Sequence, residues 1–312
     1  MGAGVEIIPS AYARGAGRLC PVLSAGLILF LAALQGVTEL FPVSSLGHAV
    51  VVPPLIGLNF RETSPAFVPV LAILHLGTAG ALLFLYRRDW ARIIKGFLQA
   101  AVRGRIDDAD QRLAIMLIIG TVPTGVIGFL LQDPLKSLFG DPRAASVFLI
   151  VNGGILLTAE MFRRRDERRR AVGSAPVLAH EEDDPAYARV EGLSLRTTVI
   201  VGVFQAGALL PGISRSGITM AAGLVAGLRH EEAARFSFLL ATPIILAAGL
   251  LELPTLGADA PTLLVAIGAA VVAGLVAYAS ARFLLRYLRL GRLDPFAYYC
   301  AALGAAGLIF IH

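Results

Sequence analysis

The sequence predicts an all-α, multi-pass membrane protein built as an inverted-topology repeat, with six spanning helices and two re-entrant helix hairpins that meet near the bilayer midplane. Three observations carry that prediction. The 312-residue chain is 56% hydrophobic and its mean hydropathy is +0.75, far above a soluble globular average. The apolar residues form continuous runs near 22–50, 66–86, 113–131, 144–162, 197–228, 232–253, 262–288 and 295–312, on the scale of the ~20 residues that cross a bilayer as a helix. Continuous runs also argue against the alternating pattern of a β-barrel. Finally, the first and fifth runs are each interrupted by proline and a serine cluster, and the interruptions match. Gln35 and Gln205, Ser44 and Ser214, and Gly47 and Gly217 are each 170 positions apart, as expected of the internal repeats of membrane carriers.

In chain order, residues 1–21 form an N-terminal tail. Arg14 and Arg18 precede an apolar run that lacks a small-residue cleavage site, so the tail reads as uncleaved. The first half, 22–162, comprises the broken segment 22–50 and three spanning helices. Residues 163–196 are a charged linker, an arginine run over 163–170 followed by Glu181-Glu182-Asp183-Asp184. Its arginine end suits anionic lipid. The second half, 197–312, repeats the plan with the broken segment 197–228.

The charge of +5 resides almost wholly in arginines of the connecting segments. There it sets orientation and gives no reason to expect nucleic acid. With both broken segments re-entrant, three basic groups share one side: Arg87, Arg88, Arg92, Lys95, Arg103, Arg105 and Arg112; the 163–170 run; and Arg282, Arg286, Arg289 and Arg292. The other side receives only Lys136 and Arg143 in 132–143, and no Lys or Arg in 254–261. The basic side is then cytoplasmic and both termini lie outside. Cys20 and Cys300 make no disulfide framework and carry no assigned function.

Chemistry concentrates at the two interruptions. The second reads Pro211-Gly212-Ile213-Ser214-Arg215-Ser216-Gly217-Ile218-Thr219. An arginine at membrane depth costs roughly 2.5–3.5 kcal/mol on insertion scales, and broken backbone there is tolerated only inside protein or along a polar cavity. A forked fixed charge, several hydroxyls and the free N–H groups of a restarting helix together describe an oxyanion site. The first interruption reads Gln35-Gly36-Val37-Thr38-Glu39-Leu40-Phe41-Pro42-Val43-Ser44-Ser45-Leu46-Gly47-His48. Gln35 and Glu39, four apart, share a helix face, and Ser44 and Ser45 sit where the helix restarts, where serine also serves as a cap. Glu39, Ser45, His48 and Arg215 are the catalytic candidates, and Ser44, Ser214, Arg215, Ser216 and Thr219 the candidates for holding phosphate. The plainer alternatives are an ion pair between Glu39 and Arg215, and packing for His48. His75 is expected to pack. Glu160 and Glu252, near segment ends where long side chains snorkel, are left without a role.

The two motifs, Gln35 to His48 and Pro211 to Thr219, resemble the signature motifs of the undecaprenyl-diphosphate phosphatases, the bacitracin-resistance protein family. The resemblance runs in order and spacing from about residue 22 to the end, apart from 163–196. It implies an inner-membrane enzyme that removes the terminal phosphate of undecaprenyl diphosphate for peptidoglycan and other envelope polymers, with its site open to the periplasm. It also implies a divalent cation, Mg or Ca. The leading motif position, Glu or Gln in the family, is Gln35 here, so Gln35 and Glu39 are the candidates for positioning metal or water with one carboxylate between them. The implied partners are the polyprenyl diphosphate and the bilayer, with a homodimer the one protein partner kept in view. Ser45 attacking phosphorus and a water activated by Glu39 and His48 stand as alternative nucleophiles. A polyprenyl-phosphate carrier without hydrolysis is the rival function, and a type-2 phosphatidate-phosphatase-like enzyme a lesser one, since only Ser44 to His48 echoes its motif.

Overall fold

The computed structural model describes residues 25–58, 67–131, 135, 138, 140–173, 190–253, 260–289 and 291–311. Among them the chain is helical with no strand: α1 (Ala25–Thr38), α2 (Ser45–Leu55), α3 (Phe67–Leu85), α4 (Arg87–Arg103), α5 (Ala109–Leu130), α6 (Pro142–Gly173), α7 (Leu195–Gln205), α8 (Arg215–Val225), α9 (His230–Glu252), α10 (Ala260–Leu288) and α11 (Asp294–Phe310). The tail 1–21 and the acidic residues 181–184 lie outside the described residues.

α5, α6, α9 and α10 are long and apolar enough to cross a membrane. The bent pair α3–α4 adds a fifth candidate, while α11, with 17 residues, is shorter. Apart from α4 and the arginine-rich end of α6, the helices are apolar nearly all round, as bilayer solvent allows. Leu264, Leu275 and Phe129, for example, stay exposed. Helices approach closely through small residues, the usual membrane solution. A side-chain carbon on Gly77 of α3 would lie 2.1 Å from the Ala270 carbonyl of α10, and one on Gly202 of α7 would lie 2.4 Å from the Gly120 carbonyl of α5. α3 packs between α9 and α10, α1 lies on α10, α7 lies on α5, and α6 pairs with α11.

The two restarting helices share their bounds. α2 spans Ser45–Leu55 where α8 spans Arg215–Val225. Both ends are offset by 170, whereas α1 ends at Thr38 and α7 at Gln205, ahead of a 3-10 turn over Ala206–Leu209. The matched serines also do the same work. Ser44 caps α2 by accepting from the Gly47 N–H at 3.2 Å, and Ser214 caps α8 by accepting from the Gly217 N–H at 3.0 Å.

Three expectations need correction. The basic stretch 87–112 is not a plain connection, because Arg87–Arg103 forms α4, turned 84° from α3. Its Trp90, Ile93, Ile94 and Phe97 recur at helical spacing, a signal that its arginines obscure. The arginines at 163–170 continue α6, which ends at Gly173. α2 runs past position 50 to Leu55, through Pro53 and Pro54.

Candidate active site

α1 ends where Thr38 turns its hydroxyl back onto the Leu34 carbonyl at 2.7 Å, which leaves Glu39 on the last turn, its N–H on Gln35 O at 2.9 Å. The chain then reverses through Pro42 and Val43 into Ser44, the one non-glycine residue with positive φ among the described residues (φ 71°). A left-handed serine costs about 1–3 kcal/mol and persists only where its surroundings over-determine it. Here its hydroxyl caps α2, and its carbonyl accepts from the His48 N–H at 3.2 Å and from His48 Nδ1 at 2.6 Å. In the second segment α7 tightens into a 3-10 turn over Ala206–Leu209, and Gly212 takes the reversal at φ 100°. No side chain fits there, since a Cβ would lie 2.3 Å from the Ala145 carbonyl.

The two restarts bring Ser45 and Arg215, the first residues of α2 and α8, onto the same carboxylate. Ser45 Oγ donates to Glu39 Oε2 at 2.6 Å, and Gln35 Nε2 donates to that oxygen at 2.7 Å. The Arg215 guanidinium pairs with Glu39 Oε1 through Nη2, while its Nε has no partner among the described residues. His75 of α3 donates through Nδ1 to the Leu71 carbonyl at 2.7 Å, and this holds Nε2 facing Glu39 Oε2 at 3.4 Å. The expectation that His75 merely packs is therefore wrong. Glu39 is buried, but Ser45, Arg215 and His75 are each part-exposed. A hydroxyl, a fixed cation and an imidazole thus reach the surface around a sequestered carboxylate.

Sequence reasoning missed Asn152 of α6, although it is a polar residue inside an apolar run. Completely buried, it donates through Nδ2 to the Pro42 carbonyl at 3.0 Å and accepts through Oδ1 from the Ser214 N–H at 2.9 Å. One amide thereby ties the first break to the second. Cys300 packs at the same point, 3.3 Å from Asn152 Nδ2.

The other predicted residues are buried and bonded within the protein. Ser216 Oγ donates to the Phe41 carbonyl at 2.8 Å and lies 3.0 Å from Ser214 Oγ. Thr219 donates to the Arg215 carbonyl at 2.7 Å and meets Ser237 Oγ at 2.5 Å. Ser214 and Ser216 thus reach across to the first break through the Phe41 carbonyl, while Thr219 ties α8 to α9 and Ser44 stays within its own turn; Arg215 and Ser45 remain part-exposed. His48 stands apart from Glu39. With Nδ1 donating to Ser44 O, its Nε2 accepts from the Tyr299 hydroxyl at 2.8 Å, and the two rings stack at 5.5 Å.

A divalent cation does not fit this donor set. Among the described residues no three His, Cys, Asp or Glu side chains group to hold a metal. Both Glu39 oxygens already face donors, and the adjoining guanidinium repels a second cation.

A second charged cluster sits at the far end of α6, where Glu160 is buried rather than snorkelling as expected. Its Oε2 faces His230 Nε2 at 2.9 Å and the Leu293 N–H at 3.4 Å, and Arg164 bridges Glu160 to Asp294. The Glu252 side chain lies outside the described residues.

Residues 28–306 match the family model described as Bacitracin resistance protein BacA. Among similar proteins, Undecaprenyl-diphosphatase 2 of Frankia alni is 44% identical, over 87% of this chain and 93% of that protein. Undecaprenyl-diphosphatase of Mycolicibacterium paratuberculosis is 46% identical, over 89% of this chain and 94% of that protein. Undecaprenyl-diphosphatase of Acidiphilium cryptum is 44% identical, over 91% and 96%. With nearly the whole helical chain and both interruptions inside the matched region, this protein belongs to the bacitracin resistance protein BacA family.

Proposed function

We propose that this chain is a membrane phosphatase that hydrolyses undecaprenyl diphosphate to undecaprenyl phosphate and inorganic phosphate, the reaction named by its relatives. The observation that carries the reading is the 2.6 Å bond from Ser45 Oγ to the buried Glu39, whose other oxygen is held by Arg215. A hydroxyl bonded to a general base is an activated nucleophile, and a pure anion carrier needs none. Arg215 supplies forked donors for the non-bridging oxygens, where phosphoryl transfer concentrates charge. The N-termini of α2 and α8 add roughly half a positive charge each.

In this mechanism Ser45 Oγ attacks the terminal phosphorus while its proton passes to Glu39 Oε2. The bond from phosphorus to the bridging oxygen breaks, and undecaprenyl phosphate leaves with the proton from Glu39. Water then attacks the phosphoserine and gives a proton to Glu39. Ser45 Oγ departs, recovers that proton, and inorganic phosphate is released. His75, with Nδ1 given to the Leu71 carbonyl, supports the carboxylate as the imidazolium, whose Nε2–H faces Glu39 Oε2. The divalent cation expected from the resemblance we place with the diphosphate head group rather than in a protein cage.

The matching bounds of α2 and α8 support two halves of like design, as do the paired packings of α1 on α10 and α7 on α5. We read them as an inverted repeat with α3, α5, α6, α9, α10 and α11 spanning and the two breaks entering from opposite faces. The arginine-rich ends are then cytoplasmic, both termini periplasmic and the site open to the periplasm. Rapid quench of the purified protein with farnesyl diphosphate labelled in its terminal phosphate tests the chemistry. Acid-stable phosphate should appear on Ser45 before steady state. Undiminished phosphate release by Ser45→Ala would return the attack to water, and binding without any phosphate release would return the chain to the carrier class.

A further inference from the structure

Ser45 takes its place on Glu39 from the residue before it, the left-handed Ser44. The second break shows how the matching serine sits with different neighbours. Ser214, 170 positions on, makes the same cap to a glycine three residues along, yet it rests at φ −82° and ψ 122°, ordinary extended backbone. Four residues after each serine a helical N–H bonds back to its carbonyl, from Ile218 at 2.8 Å and from His48 at 3.2 Å. The side chains differ. Ile218 has no polar atom to add, whereas His48 Nδ1 lies 2.6 Å from the Ser44 carbonyl, closer than the backbone N–H beside it. A strained residue persists only where its surroundings over-determine it, and here the strained serine is the one that has the histidine.

A carbonyl only accepts, so Nδ1 carries the hydrogen and the neutral ring keeps Nε2 as its acceptor. Tyr299 of α11 meets that nitrogen. Its hydroxyl lies 2.8 Å from Nε2, and its ring stacks on the imidazole with 14° between the planes. His48 is 1% exposed, and with both ring nitrogens taken it has no polar side-chain atom left for a phosphate or a water. Tyr299 is 47% exposed on the outside of α11, yet its hydroxyl turns inward. The tautomer of a histidine is set by the bond its other nitrogen makes, so this hydroxyl decides which nitrogen faces Ser44.

We propose that Tyr299 is a positioning residue for the hydrolysis: its hydroxyl keeps His48 in the Nδ1–H tautomer, His48 holds the Ser44 carbonyl, and the left-handed Ser44 presents Ser45 Oγ to Glu39. This rests on the reading of Ser45 as the nucleophile, and it leaves both Tyr299 and His48 out of contact with the substrate.

Tyr299→Phe keeps the stacked ring and removes only the hydroxyl. In full-length protein turning over farnesyl diphosphate, kcat should fall about tenfold, the worth of one hydrogen bond to a buried acceptor. Ser45 Oγ both attacks and later leaves, so both steps slow together and KM should hold, as should the melting temperature. An unchanged kcat overturns the proposal, and so does a raised KM at full kcat, which would make Tyr299 a substrate contact. His48→Asn removes the choice of tautomer, because its amide N–H reaches from the place of Nδ1 and keeps its hydrogen. It should recover most of the turnover that His48→Ala loses, and adding Tyr299→Phe to it should cost less than about twofold. His48→Asn as inactive as His48→Ala overturns the proposal, by making the ring an acid or base in its own right. A full tenfold loss from Tyr299→Phe in the His48→Asn background overturns it too, by giving the hydroxyl another target. Rapid quench separates this idea from the nucleophile itself. Acid-stable phosphate should appear on Ser45 in wild type and in Tyr299→Phe, about tenfold more slowly in the variant. Wild-type protein that never labels Ser45 overturns both readings, and equal labelling rates overturn this one alone.

Discussion

At the scale of single residues, the pocket works because one buried carboxylate is surrounded by donors of different kinds. In the proposed mechanism Ser45→Ala removes the attacking oxygen and Glu39→Gln the acceptor of its proton. Each should lower turnover of farnesyl diphosphate by about 10²–10⁴-fold, the span of a positioned acid–base pair, measured as released phosphate. Arg215→Lys keeps the charge but loses the fork, and about a 10²-fold fall is expected. Arg215→Ala goes further by leaving the buried Glu39 without its fixed countercharge, with only Ser45, Gln35 and His75 beside it, which should cost up to about 3 kcal/mol of stability as well. A thermal melt separates the two variants. His75→Ala should cut turnover by about 10²-fold by releasing the carboxylate, and an unchanged kcat would return His75 to packing. The carboxylate and guanidinium were legible in the sequence because charge at membrane depth needs a reason. His75 was not, because a lone histidine in an apolar run gives no sign that α3 lies beside the end of α1.

At the scale of elements, each broken segment is a helix, a reversal and a capped restart, and both reversals are too short to hold themselves in place. Asn152 supplies the hold, with one hydrogen bond to each break. Asn152→Ala strands the Pro42 carbonyl and the Ser214 N–H in a dry interior, at about 1–3 kcal/mol for each buried group left unpaired. Its turnover should fall along with its melting temperature, because Ser45 and Arg215 are positioned by those same backbones. A variant that melts early yet keeps full kcat would show that the clamp is structural only. The caps at Ser44 and Ser214 were readable from the 170-residue match. Asn152 was not, because it belongs to neither motif and its role exists only once α6 crosses both breaks. The helical character of α4 was present in its apolar spacing, yet a reading that counted arginines for orientation passed over it.

At the scale of the whole molecule, the proposed repeat sets which way everything faces. Two broken segments whose restarting helices share bounds could be related by a parallel or an inverted operation, and helix bounds alone do not choose between them. The charge distribution favours the inverted one. The exposed Arg165 on the extended end of α6 belongs to the basic side, and the exposed Arg143 at the other end of α6 belongs to the sparse side. On the proposed topology the bilayer lies between these two positions of one helix. With Cys20 changed to Ser and the buried Cys300 left in place, Arg143→Cys and Arg165→Cys give two reporters. A membrane-impermeant maleimide added to right-side-out vesicles should label Arg143→Cys and spare Arg165→Cys until the vesicles are opened. The reverse pattern would turn the pocket to the cytoplasm. Labelling of both at once would mean that α6 does not cross, and without that crossing Asn152 cannot stand at the depth where the two breaks meet.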